Sequence, residues 1–252
     1  MSSITRPYID DCKLTHYLHF EEVLGFCDDI MSHFRIYTEI PYTSEMATKT
    51  EIIWRHLLAR TSAGHRRYAS VTALAKELDL PVSTTHQALG RPVEIGALTI
   101  SAVAGLRVLD PVRLLTLYCA HRHLERDVVV RARVDAPVED AERLVSKESD
   151  VILGGFAALI AHTTGVNRIA DYNTVLVYAD ADVVDALPLA SDGPCELIVA
   201  RPDPWLKIYG SLTPAAQAYA DVFNLRDWQA SRFIHELNPG DVVDGDEQVS
   251  IV

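Results

Sequence analysis

The sequence predicts an α+β protein in three parts: an N-terminal helical extension over 1–47, a run of short helices closed by a β-hairpin over 48–125, and a C-terminal α/β domain over 126–238. Two patterns carry this division. Through 48–125 apolar residues recur at helical spacing in short bursts, separated by turn residues. Through 126–238 β-branched runs alternate with helical stripes, the order of an α/β or α+β domain. A chain of 252 residues is long enough for two compact domains.

The extension holds Tyr17, Leu18, Phe20, Val23, Leu24, Phe26 and Ile30, the broad apolar face of one helix. Such a face needs a cover, either the next domain or a second subunit, and the helix is the candidate dimer element. Ile53, Trp54, Leu57 and Leu58 then form a helical stripe, followed by a basic loop, His65 to Tyr68. Ser70 is placed to cap a helix whose Val71, Leu74, Ala75 and Leu78 share one face. Asp79, Leu80 and Pro81 break that helix, and Ser83 is expected to cap a third, running to about Leu89. Weak alternation from Gly96 to Val108 suits a hairpin. Asp110 and Pro111 open a further helix as cap and first-turn proline.

In the C-terminal part Val128–Val134, Thr174–Tyr178 and Glu196–Ala200 read as strands. Helices are expected over Val138–Val145, Phe156–His162, Pro214–Leu225 and Trp228–Leu237. Thr213 is the expected cap of the helix at Pro214, with Ala216, Tyr219, Ala220 and Phe223 as its buried face. Trp205, Trp228 and Phe233 read as core, and Arg201 to Trp205 as a rigid turn. The acidic tail over 239–252 is expected to be disordered.

Charge is unevenly placed. The whole chain carries −12, yet residues 48–107 hold eight basic side chains against four acids, a local +4. One basic segment in an acidic chain suggests a local polyanion site. No apolar run reaches the roughly 18 residues that span a bilayer, so no membrane association is expected. The first residues lack an export signal, which gives a cytoplasmic expectation, with Cys12, Cys27, Cys119 and Cys195 as reduced thiols.

The segment Leu74 to Leu89 has the composition of a helix-turn-helix. Ala75 supplies a small residue where two helices cross, and Leu78, Leu80 and Val82 supply apolar plugs for the turn. Val82, Ala88 and Leu89 are the expected inner face of the second helix, with Thr85 in a loosely packed position. The outer face then shows Ser83, Thr84, His86 and Gln87, short polar groups able to reach base edges in a major groove. Arg66, Arg67, Arg91 and, on the hairpin, Arg107 are candidate phosphate ligands, with Thr72 on the preceding helix joining the set. A helix pair used only for packing or dimerisation is the bland alternative, and it leaves the local basic charge without a role. The hairpin makes the unit winged. One short helix reads too few bases to be selective, so a homodimer on double-stranded DNA is expected.

The order of this unit, then Gly105 to Leu115, then Val151 to Leu159 and finally Thr213 to Val222, resembles AbiEi-type antitoxins and related winged-helix regulators of bacteria and archaea. The resemblance covers roughly 48–238. It implies a repressor of its own promoter that opposes a partner toxin, a nucleotidyltransferase. It also implies a C-terminal domain with a nucleotidyltransferase-like fold that has lost catalysis. An antitoxin acting mainly by neutralisation is therefore one alternative, and a nucleotidyltransferase enzyme is another.

An enzyme of that kind needs a glycine-rich turn and paired carboxylates for Mg²⁺. Gly154 and Gly155 are present, but after Asp171 and Tyr172 the neutral Asn173 stands where a second Asp is expected, and Asp180 and Asp182 fall beyond the strand. No catalysis is expected. Cys12, His16, His19 and Cys27 are zinc ligands in type, but their spacing matches no compact tetrahedral site. Cys119, His121 and His123 point apart on a helix. Neither a metal nor another cofactor is expected.

Overall fold

The computed structural model describes residues 48–163 and 169–243. The N-terminal extension, with Cys12, His16, His19 and Cys27, lies outside the described residues, as does the tail beyond Val243. The described chain is a mixed α+β structure with two small sheets.

Helix α1, Lys49–Ser62, starts with a complete capping box. The Glu51 amide donates to Thr48 Oγ1 at 3.2 Å, and the Thr48 amide donates to the Glu51 carboxylate at 2.8 Å. That satisfies two amides the helix cannot pair for itself. The expected stripe of Ile53, Trp54, Leu57 and Leu58 is buried, but so are Glu51, Arg55 and His56. The helix is covered on more than one face, packing on several later helices.

Strand β1, Arg67–Tyr68, replaces the second half of the expected loop. Helix α2, Val71–Glu77, is capped by Ser70, whose hydroxyl accepts from the Ala73 amide at 3.1 Å. The turn passes through Asp79 at φ 50°, left-handed backbone that Asp tolerates better than most side chains. Helix α3 runs Val82–Glu94, five residues beyond the expected end. Pro81 precedes it without any side-chain cap, and Ser83 lies inside the first turn instead of capping it.

Two strands follow, β2 Leu98–Ser101 and β3 Gly105–Val108. They form an antiparallel sheet in the order β1-β3-β2. Gly105, at φ 69°, is required there, because a Cβ would run into the backbone of Tyr68 and Ala69. Helix α4, Pro111–His121, is capped by Asp110, which accepts from the Arg113 amide at 2.9 Å.

The second sheet has four strands: β4 Val128–Val134, β5 Ile152–Leu153, β6 Thr174–Tyr178 and β7 Cys195–Ala200. Their order is β4-β7-β6-β5, with β6 and β7 parallel and the outer pairs antiparallel. Helices α5 Val138–Val145 and α6 Gly155–Thr163 connect them. Helices α7 Ala215–Asn224, α8 Trp228–Glu236 and α9 Pro239–Val243 close the chain.

Several expectations fail here for visible reasons. Thr213 does not cap α7: Pro214 takes the capping position, and the buried Thr213 hydroxyl has no hydrogen-bond partner among the described residues. Phe223 and Trp228 are exposed, because Tyr219, Ala220 and Phe233 already fill the interior side of α7 and α8. Residues 239–243, expected in a disordered tail, form α9, and its Val242 and Val243 are buried.

One hydrophobic cluster runs from Ile52 and Leu57 through Leu115 and Phe156 to Phe233 and Val243. Two buried arginines pass through it. Arg55 donates to Asp203 at 2.5 and 2.8 Å and to Gln217 at 2.8 Å. Arg122 holds Asp127 at 2.5 Å and Asp221 at 3.0 Å, and also donates to the Tyr178 hydroxyl at 2.9 Å. That hydroxyl in turn donates to Asp221 at 2.6 Å. No helix among the described residues is long and apolar enough to cross a membrane.

Candidate nucleic-acid interface

The outer face of α3 follows from which of its residues the core claims. Thr85, Ala88, Leu89 and Pro92 are buried. Three- and four-residue spacing therefore turns Ser83, His86 and Gln87 to solvent, with Thr84 half-buried beside them. Thr85 is not loosely packed: it is fully buried, and its hydroxyl donates to the Pro81 carbonyl at 3.1 Å. Val82 is neither a plug nor part of the inner face. It is 45% exposed, because Leu78 and Leu80 suffice to fill the turn. Ala75 is buried at the crossing, as its size requires.

Arg107 lies on the hairpin as expected, whereas Arg67 belongs to a strand and not to a loop. Arg67 belongs to β1 and lies directly across from Arg107 on β3, while Arg107 faces Thr99 on β2. Tyr68, Leu106 and Val108 are buried, so alternation turns Arg67 and Arg107 to the open face of the sheet. Side chains directly opposite on paired strands stand about 5 Å apart, and like charges there repel. An anion between them would relieve the repulsion. The signal was present in the sequence as the alternation Leu106, Arg107, Val108, but the partner strand was not foreseen.

Arg66 and Thr72 are exposed as well. Arg91 is exposed too, but donates to Glu94 at 2.9 Å one turn along α3. Such a surface pair contributes under about 1 kcal/mol and gives way readily to a stronger anion. The hairpin tip offers no cation: Val103, there, is almost wholly exposed.

The C-terminal features weighed for catalysis have structural explanations. A Cβ on Gly154 would press on the Tyr178 ring at 2.9 Å, and one on Gly155 on Leu176 at 3.1 Å. These glycines let the start of α6 approach β6. Asp171, Asp180 and Asp182 are exposed and lie on either side of β6. Among the described residues no group of three or more His, Cys, Asp or Glu side chains is arranged to hold a metal ion. Cys119 is buried, which pushes its thiol up and leaves it inert.

Sequence reasoning missed the grip of the later chain on this unit. The Trp205 indole donates to the Leu78 carbonyl, at the turn between α2 and α3, at 2.8 Å. His56 sits between the Tyr209 hydroxyl at 3.0 Å and Glu77 of α2 at 3.1 Å. Burial holds the His56 imidazole below its usual value, against the pull of Glu77. The expected rigid turn at Arg201 to Trp205 is thus a strap, with Asp203 anchoring it to Arg55.

No model of a known protein family matches the chain, and neither does any curated protein or solved structure.

Proposed function

We propose that the protein binds double-stranded DNA and acts as a transcriptional regulator. In this reading α2, the turn and α3 are a helix-turn-helix, and β2 and β3 are its wing. The observation that carries it is the pairing of a short-polar helix face with two opposed arginines. Ser83, His86 and Gln87 have hydrogen-bonding groups for base edges, and Arg67 and Arg107 stand together on the adjacent sheet. A chain of net −12 gains nothing from that concentration of positive charge unless an anion meets it. Two copies per site would supply the selectivity that one short helix lacks.

The resemblance to autorepressing antitoxins makes the DNA upstream of the protein's own gene the first target to try. Fluorescence anisotropy across a salt series is the test. Specific binding should weaken steeply with salt. Arg67→Ala with Arg107→Ala should lower the log–log salt slope by about two, one per phosphate lost. A complex mass corresponding to two chains is expected. Equal affinity for random DNA, with no effect of the double substitution, would remove this reading.

A further inference from the structure

Trp228 is exposed to 64%, at the first position of α8, and no packing role explains an indole there. It is one wall of a surface cavity of about 580 Å³. Gln229 and Arg232, which follow on α8, and the segment Ile169 to Asn173 that leads into β6 complete the lining. That volume lies within the range of small-molecule sites, roughly 300 to 1,000 Å³.

The floor is fixed in advance. The Tyr172 ring stacks on Phe156 at 4.9 Å, and its hydroxyl donates to Glu142 at 2.8 Å. Phe233 packs edge-on against both rings, so the side chain beneath the cavity cannot swing away. The upper groups are uncommitted. Arg232 and Asp171 are both exposed, and neither has a hydrogen bond or ion pair among the described residues, with each other or with any third group. A cation, an anion, an amide and an open aromatic face thus share one hollow without satisfying one another.

We propose that this cavity binds a purine mononucleotide. The base stacks on Trp228, its N–H groups donate to the Asp171 carboxylate and the Asn173 amide oxygen, and the phosphate is held by Arg232. Each demand of the lining is met by one part of that ligand. An aromatic plane without charge leaves Arg232 idle, and a simple anion leaves Trp228 and Asp171 idle. The site is remote in sequence from α3, and its occupancy does not depend on DNA binding.

Isothermal titration calorimetry of the full chain with guanosine monophosphate, adenosine monophosphate and guanosine tests it. Saturable binding of at least one monophosphate in the micromolar to low millimolar range is expected. Arg232→Ala should weaken the monophosphate about tenfold and leave guanosine unchanged, since only the phosphate contact is lost. Trp228→Leu should abolish both. These residues are exposed, so the variants should fold, which circular dichroism checks. No heat from any of the three ligands would overturn the proposal, and so would binding that survives Trp228→Leu.

Discussion

Pro92 sits inside α3 with two helical residues still to come. A proline there removes one backbone donor and costs about 3 kcal/mol in an ordinary helix. The carbonyl it orphans is that of Ala88, four residues back. That oxygen accepts instead from the Trp54 indole at 2.7 Å, in the buried contact between α1 and α3. The helix therefore continues, and Val93 and Glu94 are helical where the sequence read an end near Leu89. The residue that lets the helix run past Pro92 lies 34 positions from the carbonyl it satisfies, beyond the reach of a local reading. Trp54→Phe keeps most of the ring and loses the donor. It should destabilise the protein by about 2 kcal/mol, the cost of an unpaired buried carbonyl, with the loss measured by urea denaturation. A loss no larger than a few tenths would mean that water or the helix itself satisfies Ala88.

Among the elements, bounds were more legible than faces. The strands Val128–Val134 and Thr174–Tyr178 and the helix Val138–Val145 match their expected ends, because β-branched runs and apolar stripes are local signals. Which residues an element exposes depends on what packs against it, and that is non-local. Val82, Phe223 and Trp228 read as interior and are not, since neighbours had already filled the space. Ser83, His86 and Gln87 were legible as an outer face, whereas the opposition of Arg67 and Arg107 required the partner strand. That opposition separates stability from binding. Arg107→Thr should stabilise the isolated fold by about 0.5 kcal/mol, by removing a like-charge pair and adding a good strand former. The same change should weaken DNA binding. Thermal unfolding and anisotropy on one sample would read both, and a substitution that lowers stability would show that no strain existed between the two guanidiniums.

At the scale of the whole molecule, buried charge ties the helical half to the four-stranded sheet. Burial pushes the Asp127 carboxyl up to about 6 from 3.8, against the pull of Arg122, and Asp221 is also raised. A carboxylate raised on folding binds protons more tightly in the native state than in the unfolded one. Its contribution is therefore present at low pH and is lost as pH rises from about 4 to about 6. His56 works the other way. Its lowered value makes the native state resist protonation, so stability is lost as pH falls below the ordinary histidine value near 6.5. Asp127→Asn isolates the first effect. Between pH 4 and pH 6.5 the variant should gain on the parent by about 2 kcal/mol, most of the free energy of a shift from 3.8 to about 6. Parallel stability curves would mean that Arg122 fully offsets the burial of Asp127.

The strap carries the same coupling to the turn of the helix pair. Asp203 is locked to Arg55, and two residues later Trp205 donates to Leu78, whose carbonyl lies at the end of α2. The four residues between α2 and α3, Leu78 to Pro81, include a left-handed Asp79 that local sequence alone holds only weakly. The indole contact thus adds an anchor to the turn from outside the helix pair. Trp205→Phe should leave the fold and the apolar packing in place but free the turn. Amide hydrogen exchange at Asp79 and Leu80 should then speed up about tenfold, the effect of one hydrogen bond, while exchange in β6 and β7 stays unchanged. Uniform acceleration across the chain would instead make Trp205 a global stability residue, and an unchanged turn would show that Asp79 and Leu80 hold their conformation unaided.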